Sequence, residues 1–149
     1  MSYKFPFETL LKHRKRIEEA AQRDYFQAKL AVDESLDKIN GMYKSLDQTR
    51  TEIQQLQKGG NQAIASINQR EEYINGLRVR IEQERQVARQ LMMVAEEKLH
   101  ILMEAAKEHK SLDKLKEKRS QEHRQAKKKK EIKEVDEMVT MRHKRGSVA

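Results

Sequence analysis

The histidines, carboxylates and lysines are the residues of this chain that could do chemistry. Metal binding needs ligands that converge, but the five histidines never recur four residues apart and no H-E-x-x-H pattern occurs. The sequence also lacks the glycine-rich phosphate-binding patterns, the G-x-S-x-G nucleophile pattern and cysteine. At helical spacing, its many carboxylates are expected to pair with Lys and Arg on solvated faces. We therefore predict no catalytic site, no metal site and no cofactor.

The basic residues offer a binding chemistry instead. The formal net charge is +8, and the stretch from Lys114 to Lys133 holds ten basic residues against three acidic ones. Such a block favours an acidic protein face, nucleic acid or anionic lipid as its partner. Nucleic-acid binding by this block would be unselective and salt-dependent, because the block has neither the Asn nor the aromatic residues that read bases.

The elements that must carry this block are two long helices. Apolar residues recur at spacings of three and four on both sides of Gly59 and Gly60, the one Gly-Gly pair of the chain. Two adjacent glycines interrupt a helix, since each gives up roughly 1 kcal/mol of helix propensity relative to Ala. We predict an all-α fold, an antiparallel coiled-coil hairpin forming a single domain, with helices at about 6–57 and 62–141 and a turn at 58–62.

One register pairs apolar residues along most of the first helix. If the chain reverses near position 60, facing residues have numbers that add to about 120, which pairs Leu46 with Ile74 and Phe7 with Leu112. The predicted stripe of the first helix is Phe7, Leu10, Arg14, Ile17, Ala21, Tyr25, Ala28, Val32, Ser35, Ile39, Met42, Leu46, Thr49, Ile53 and Leu56. In the second helix it is Ile64, Ile67, Glu71, Ile74, Leu77, Ile81, Glu84, Ala88, Leu91, Ala95, Leu99, Leu102, Ala106, His109 and Leu112. The two steps of four from Ile17 through Ala21 to Tyr25 predict a local phase shift.

The second helix is longer than the first and is predicted to overhang it. Residues 114–141 form the predicted unpaired basic arm, which projects by ~40 Å. A small amphipathic face follows the basic run and consists of Ile132, Val135, Met138, Val139 and Met141. This face is expected either to dock into a groove of another protein or to pack back on Phe5 and Phe7.

Two helix-interior glycines fall at nearly facing levels. Gly41 and Gly76 mark either a soft point of the hairpin or a place where Gly76 makes room for the ring of Tyr43, and we favour the second interpretation. No apolar stretch is long enough to predict a transmembrane segment, so we expect a soluble cytoplasmic protein.

Both ends of the chain resemble one family. The run Phe7-Glu8-Thr9-Leu10-Leu11-Lys12-His13-Arg14-Lys15-Arg16-Ile17-Glu18-Glu19-Ala20-Ala21-Gln22 is similar to the N-terminal signature of the flagellar export protein FliJ family. The charged stretch Lys133-Glu134-Val135-Asp136-Glu137-Met138, with Arg142 after it, resembles the C-terminal stretch of that family. The length, the central turn and the cysteine-free, basic composition agree with the resemblance.

The resemblance implies a non-enzymatic component of the flagellar type III protein export apparatus. Members of this family are stalk-like coiled coils that bind the hexameric flagellar export ATPase, the cytoplasmic domain of the export gate and export chaperones. The resemblance also implies a cytoplasmic protein that associates peripherally with the inner-membrane export apparatus and serves motility and chemotaxis.

Candidate partner-binding residues follow from the resemblance together with the charge pattern. For the ATPase, the candidates are Arg14, Arg16, Glu18, Arg124, Lys127, Lys128, Lys129, Lys130, Glu134, Asp136 and Arg142. For the export gate or a chaperone, they are Tyr43, Gln62 and Tyr73. Two alternatives use the same residues differently: a non-specific nucleic-acid-binding coiled coil, and a structural spacer whose exposed faces bind nothing.

Overall fold

The structure is a computed structural model that describes residues 3–60 and 63–147. Helix α1 spans Glu8–Gln57 and helix α2 spans Ile64–Ser147. The two helices pack against each other, and no strand occurs in the described ranges. The predicted all-α helical hairpin is therefore confirmed. Within the same residues, neither helix is long and apolar enough to cross a membrane.

The reversal between the helices depends on the two glycines. The amide of Gly59 donates to the carbonyl of Leu56 at 3.0 Å, which ends α1 with a tight turn. Gly60 has a φ of 84°, in the left-handed region that glycine enters without the steric cost of a Cβ. The amide of Ala63 then donates to the carbonyl of Gly60 at 3.2 Å and leads into α2. Gln62 lies outside the described residues.

Contacts divide the chain into two units, which we describe separately. The central unit is Ala20–Met103, and the terminal unit joins Met1–Glu19 to Glu104–Ala149. The core cluster of the central unit consists of Leu46, Ile53, Ile74 and Leu77, with Met42, Tyr43 and Ile67 packed against it. The cluster contains the predicted pairs Leu46 with Ile74 and Ile53 with Ile67. Burying each of these aliphatic side chains contributes roughly 1.5–3 kcal/mol.

Positions that alternate at steps of three and four along both helices are all buried or half-buried. We call these positions the seam. In α1 the buried seam residues are Leu11, Ala21, Ser35, Ile39, Leu46, Thr49 and Ile53, and in α2 they are Ile74, Leu77, Ile81, Ala88 and Ala105. Ser35 donates a hydrogen bond to the half-buried carboxylate of Glu84 at 2.8 Å, so the seam of the central unit includes a polar layer.

The predicted seam is wrong near the start of α1. Leu11 is 7% exposed, whereas Leu10 is 39% exposed and Phe7 is also exposed. The seam takes Leu11, Arg14 and half-buried Glu18 at regular heptad spacing, so the predicted phase shift at Ala21 does not occur. The predicted seam of α2 is also wrong at two positions. Ala105 is buried, whereas the predicted Ala106 is only half-buried, and the predicted Leu99 is exposed.

The exposed end of α2 begins later than residue 114. Lys116, Arg119 and His123 all contact residues between Tyr3 and Glu8, because the chain before α1 lies along α2. Every residue from 121 to 146 is exposed. We call residues 124–142 the arm.

The apolar face of the arm does not fold back on the phenylalanines. Ile132, Val135, Met138, Val139 and Met141 are 57–62% exposed. Phe5 is buried and instead meets the ring of Phe7 edge-on, with 5.7 Å between the ring centroids. The expectation of packing back is therefore wrong, and the apolar face remains open to solvent.

The interpretation of Gly76 as space for Tyr43 is also wrong. A Cβ added at Gly76 or at Gly41 would meet nothing within 4 Å. The Tyr43 hydroxyl instead accepts a hydrogen bond from the Arg85 guanidinium, which lies 5.7 Å from the centroid of the tyrosine ring.

Candidate partner-binding site

The seam of the terminal unit contains charged and titratable side chains beside its apolar ones. Arg14 donates to the carboxylate of Glu108, and the carboxylate of Glu18 lies within hydrogen-bond distance of Nδ1 of His109. The side chains of Glu18 and His109 are each about four-fifths buried. Polar side chains removed this far from water need hydrogen-bond partners, and Glu18 and His109 are partners for each other.

His109 connects both helices. Its Nδ1 faces Glu18 of α1, while Nε2 lies 3.6 Å from the carboxylate of Asp113, one turn further along α2. This arrangement holds the imidazole between two carboxylates. Among the residues that the structure describes, no group of three or more His, Cys, Asp and Glu could hold a metal ion.

The first turn of α1 forms the next ionic contact. The Glu8 carboxylate lies 2.9 Å from Lys116 Nζ, and its negative charge also favours the N-terminus of the helix to which it belongs. The guanidinium of Arg119 lies 5.4 Å from the centroid of the Phe7 ring. The rings of Tyr3 and His123 are 5.3 Å apart. Together these contacts anchor α2 up to the point where the arm begins.

The arm presents the predicted basic and acidic residues to solvent. Exposed in this way are Arg124, Lys127, Lys128, Lys129, Lys130, Glu134, Asp136 and Arg142. Arg16 on α1 is exposed as well. Arg14 and Glu18, in contrast, have partners within the hairpin, namely Glu108 and His109. The eight arm residues therefore lie in one exposed segment. Of the three α1 residues, Arg16 is exposed, whereas Arg14 and Glu18 are in the seam.

A second regular stripe runs along the arm, and we did not predict its direction. Lys128, Ile132, Val135, Val139 and Arg142 follow one another at steps of four, three, four and three. The seam positions Lys116, Arg119 and His123 continue to 126, 130 and 133, so each stripe residue is about two residues, or ~200°, away from a seam position. The stripe thus faces away from the side of α2 that binds α1. The spacing of the stripe residues is visible in the sequence, but the direction of the stripe can be assigned only once the seam positions of α2 are known.

The predicted gate-binding residues are in the central unit and differ in accessibility. Tyr43 is half-buried against the core cluster and held by Arg85. Tyr73 is 44% exposed and borders a shallow groove beside the ion pair of Glu52 and Arg70, whose N–O distance is 2.9 Å. Tyr73 is therefore the accessible aromatic group of the pair.

These features define a class of protein, namely a helical hairpin whose second helix ends in an exposed, charged arm. Residues 3–147 match the family described as Flagellar FliJ protein. Because the match covers nearly the whole chain, the chain belongs to the flagellar FliJ family. Membership implies a role related to flagellar protein export. No curated protein and no solved structure matches the chain.

Proposed function

We propose that the chain is a non-enzymatic, stalk-like component of the flagellar type III export apparatus that binds the export ATPase ring through its terminal unit. The observation that carries the proposal is the full exposure of the basic arm in a chain that belongs to the FliJ family. In the proposal the chain works in the cytoplasm, associated peripherally with the inner-membrane export apparatus.

The exposed charges and the seam charges have different tasks in this proposal. Lys127 to Lys130, Arg124, Arg142 and Arg16 meet acidic groups on the ATPase, which steers and orients the complex more than it tightens it. Glu134 and Asp136 meet basic groups and restrict the orientation further. Arg14 and Glu18 contribute from the seam, because their contacts with Glu108 and His109 join the two helices of the terminal unit.

We propose that the central unit serves the other partners. Tyr73 is the leading candidate for contact with the export gate or a chaperone, since its ring is accessible beside polar groups that can fix a partner's orientation. Tyr43 contributes to this surface of the central unit by accepting a hydrogen bond from Arg85. Gln62, outside the described residues, remains a candidate from the sequence.

The direct test is a pull-down and an ATP-turnover assay with the export ATPase of the same organism, run at two salt concentrations. The variant carries Lys127→Glu, Lys128→Glu, Lys129→Glu and Lys130→Glu. We expect the natural chain to bind and to raise ATP turnover, and the variant to lose both effects. We also expect weaker binding at high salt, because the proposed contacts are exposed charge pairs.

The matched control reverses four exposed charges of the central unit: Lys38→Glu, Lys44→Glu, Arg50→Glu and Arg80→Glu. It changes the net charge by the same amount and should leave ATPase binding in place. If both variants lose binding equally, only net charge matters and the assignment to the arm fails. If the arm variant binds and stimulates normally, the proposal fails outright.

Nucleic-acid binding is the second candidate, and the exposed run Lys127–Lys130 is the observation that favours it. Its mark would be affinity for DNA or RNA of any sequence, falling linearly with salt on a log–log plot. Retention on nucleic acid without ATPase binding would move the function to this candidate. A structural spacer predicts neither interaction and no effect of either set of charge reversals.

A further inference from the structure

The stripe of the arm has the spacing and the width of a coiled-coil seam. Its residues follow one another at alternating steps of four and three, as the seam positions of the hairpin do, and are Lys128, Ile132, Val135, Val139 and Arg142. A row this narrow, confined to the two inner positions of each heptad, is the pattern by which one helix packs against another. The stripe is therefore shaped to receive a helix.

The terminal unit does not cover the apolar part of the stripe. Ile132, Val135 and Val139 are 57–61% exposed, and they lie on the side of α2 that faces away from its seam with α1. Removing apolar side chains from water is favourable, so a helix that packs on this row would be held there by burial of all three.

The charges beside the stripe change sign along its length. The positions at its two edges are the ones that meet the charged residues of a partner helix. From 124 to 143 these edge positions are Arg124, Lys129, Glu131, Asp136, Met138 and His143, all of them exposed. Glu131 and Asp136 border the apolar middle, one on each edge, while Lys128 and Arg142 close the stripe at its ends. The order along α2 is therefore basic, acidic, basic.

This order selects among the kinds of partner. A uniformly anionic surface, such as a lipid bilayer or a nucleic acid, would bring negative charge against Glu131 and Asp136. A second copy paired in parallel would place Glu131 beside the Asp136 of that copy, which repels as well. The order instead matches a helix that carries the opposite order of charges.

We propose that the stripe binds one amphipathic helix of a partner protein, with an apolar row about two heptads long, basic residues beside the middle of that row and acidic residues at both of its ends. The basic residues pair with Glu131 and Asp136. The acidic residues pair with Lys128 and Arg142, whose inner positions fix the register of the two helices. This inference concerns the same arm as the proposed ATPase binding, but it does not require that the helix belong to the ATPase.

The test uses two synthetic helical peptides as probes, each as long as residues 128–142 and with leucine at its inner positions. The matched peptide has acidic ends and a basic middle, and the reversed peptide has the same composition with the two charges exchanged. Both have no net charge, so the net charge of the chain does not distinguish them. Fluorescence anisotropy with the full chain up to about 500 μM measures binding. We expect the matched peptide to bind about tenfold more tightly than the reversed one.

Two variants of the full chain separate the apolar contact from the charge contact. Val135→Asp with Val139→Asp should abolish binding of the matched peptide, because it places two carboxylates in the apolar row. Glu131→Lys with Asp136→Lys should leave the apolar row intact and remove the preference for the matched peptide over the reversed one.

Matched controls change the opposite side of the arm. Ala126→Asp with Thr140→Asp adds the same negative charge as the first variant, away from the stripe and its edges. Glu137→Lys with Ala126→Lys and Thr140→Lys adds the same positive charge as the second variant. Both controls should bind the matched peptide like the natural chain. Circular dichroism of every variant should show the same helix content and confirm that it folds.

Four results would overturn the inference. Neither peptide binds, or the two peptides bind equally well, or the variant with Val135→Asp and Val139→Asp still binds the matched peptide. In the fourth case sedimentation velocity shows that the natural chain self-associates and that this variant does not, which assigns the stripe to a second copy. Loss of ATPase binding with intact peptide binding would instead contradict only the proposed function.

Discussion

At the scale of single residues, the hairpin depends on polar pairs placed inside its seam. Ser35 is 3% exposed and gives its hydroxyl proton to the half-buried Glu84 carboxylate. Glu18 and His109 form the equivalent layer of the terminal unit. Such pairs stabilise little compared with apolar packing, but removing one partner leaves the other without a hydrogen bond in a poorly solvated place.

We predict that Ser35→Ala destabilises the chain by about 1–2 kcal/mol, since it leaves the Glu84 carboxylate without its donor. Ser35→Ala combined with Glu84→Leu should recover that loss and exceed the natural stability by about 1 kcal/mol, because leucine fills a seam position. Urea unfolding at one fixed protein concentration measures both. Ser111→Ala, at an exposed site, is the control, and an unchanged midpoint for Ser35→Ala would refute the polar layer.

For the terminal unit we predict that His109→Leu lowers the protection of nearby backbone amides against hydrogen exchange. The substitution leaves Glu18 without the imidazole, at a cost of about 1–3 kcal/mol. Amide hydrogen exchange should accelerate over residues 8–19 and 104–116 while residues 39–53 remain as protected as before. Adding Glu18→Leu should restore the protection. Equal acceleration in both regions would contradict a local role for this pair.

At the scale of the helices, Gly41 and Gly76 differ from Gly60 in what they contribute to the hairpin. Gly41 and Gly76 lie inside helices with free space around their missing side chains. Gly60 has the positive φ that reverses the chain. Each type of glycine therefore responds differently to the same substitution.

We predict that Gly41→Ala and Gly76→Ala each raise the free energy of unfolding by about 1 kcal/mol, because alanine is the better helix former and meets no neighbour. Gly60→Ala should lower it by about 1–2 kcal/mol, because an L-residue is strained at this φ. Thermal unfolding monitored by circular dichroism separates the two signs. Destabilisation by Gly76→Ala would instead revive a function for that glycine.

The helical hairpin and its turn could be predicted from the sequence because heptad spacing and a Gly-Gly pair are strong local signals. The seam near the start of α1 could not, because choosing apolar residues led to Leu10 and Ile17. The chain instead keeps its heptad phase through Leu11 and Glu18, and Glu18 is acceptable there since His109 faces it. That partner lies 91 residues away, and local periodicity carries no information about it.

The candidate site was predictable in part for a related reason. A run of four lysines stands out in any sequence, and all four are exposed. The limits of the arm and the direction of its apolar stripe depend on where Tyr3 and Phe7 lie along α2. No pattern within residues 3–7 predicts that contact.

At the scale of the whole molecule, α2 is continuous through the terminal unit. The number of residues between His123 and the stripe therefore sets the direction in which the stripe faces around the axis of α2. One alanine inserted after Gln125 would rotate the stripe by ~100° about the axis of α2 while leaving every contact up to His123 in place. Seven inserted residues would return it almost to its original direction and only move it outward by ~10 Å. Evolution of this end should therefore tolerate changes of length by whole heptads, while the intervening lengths aim the same side chains at the wrong neighbour.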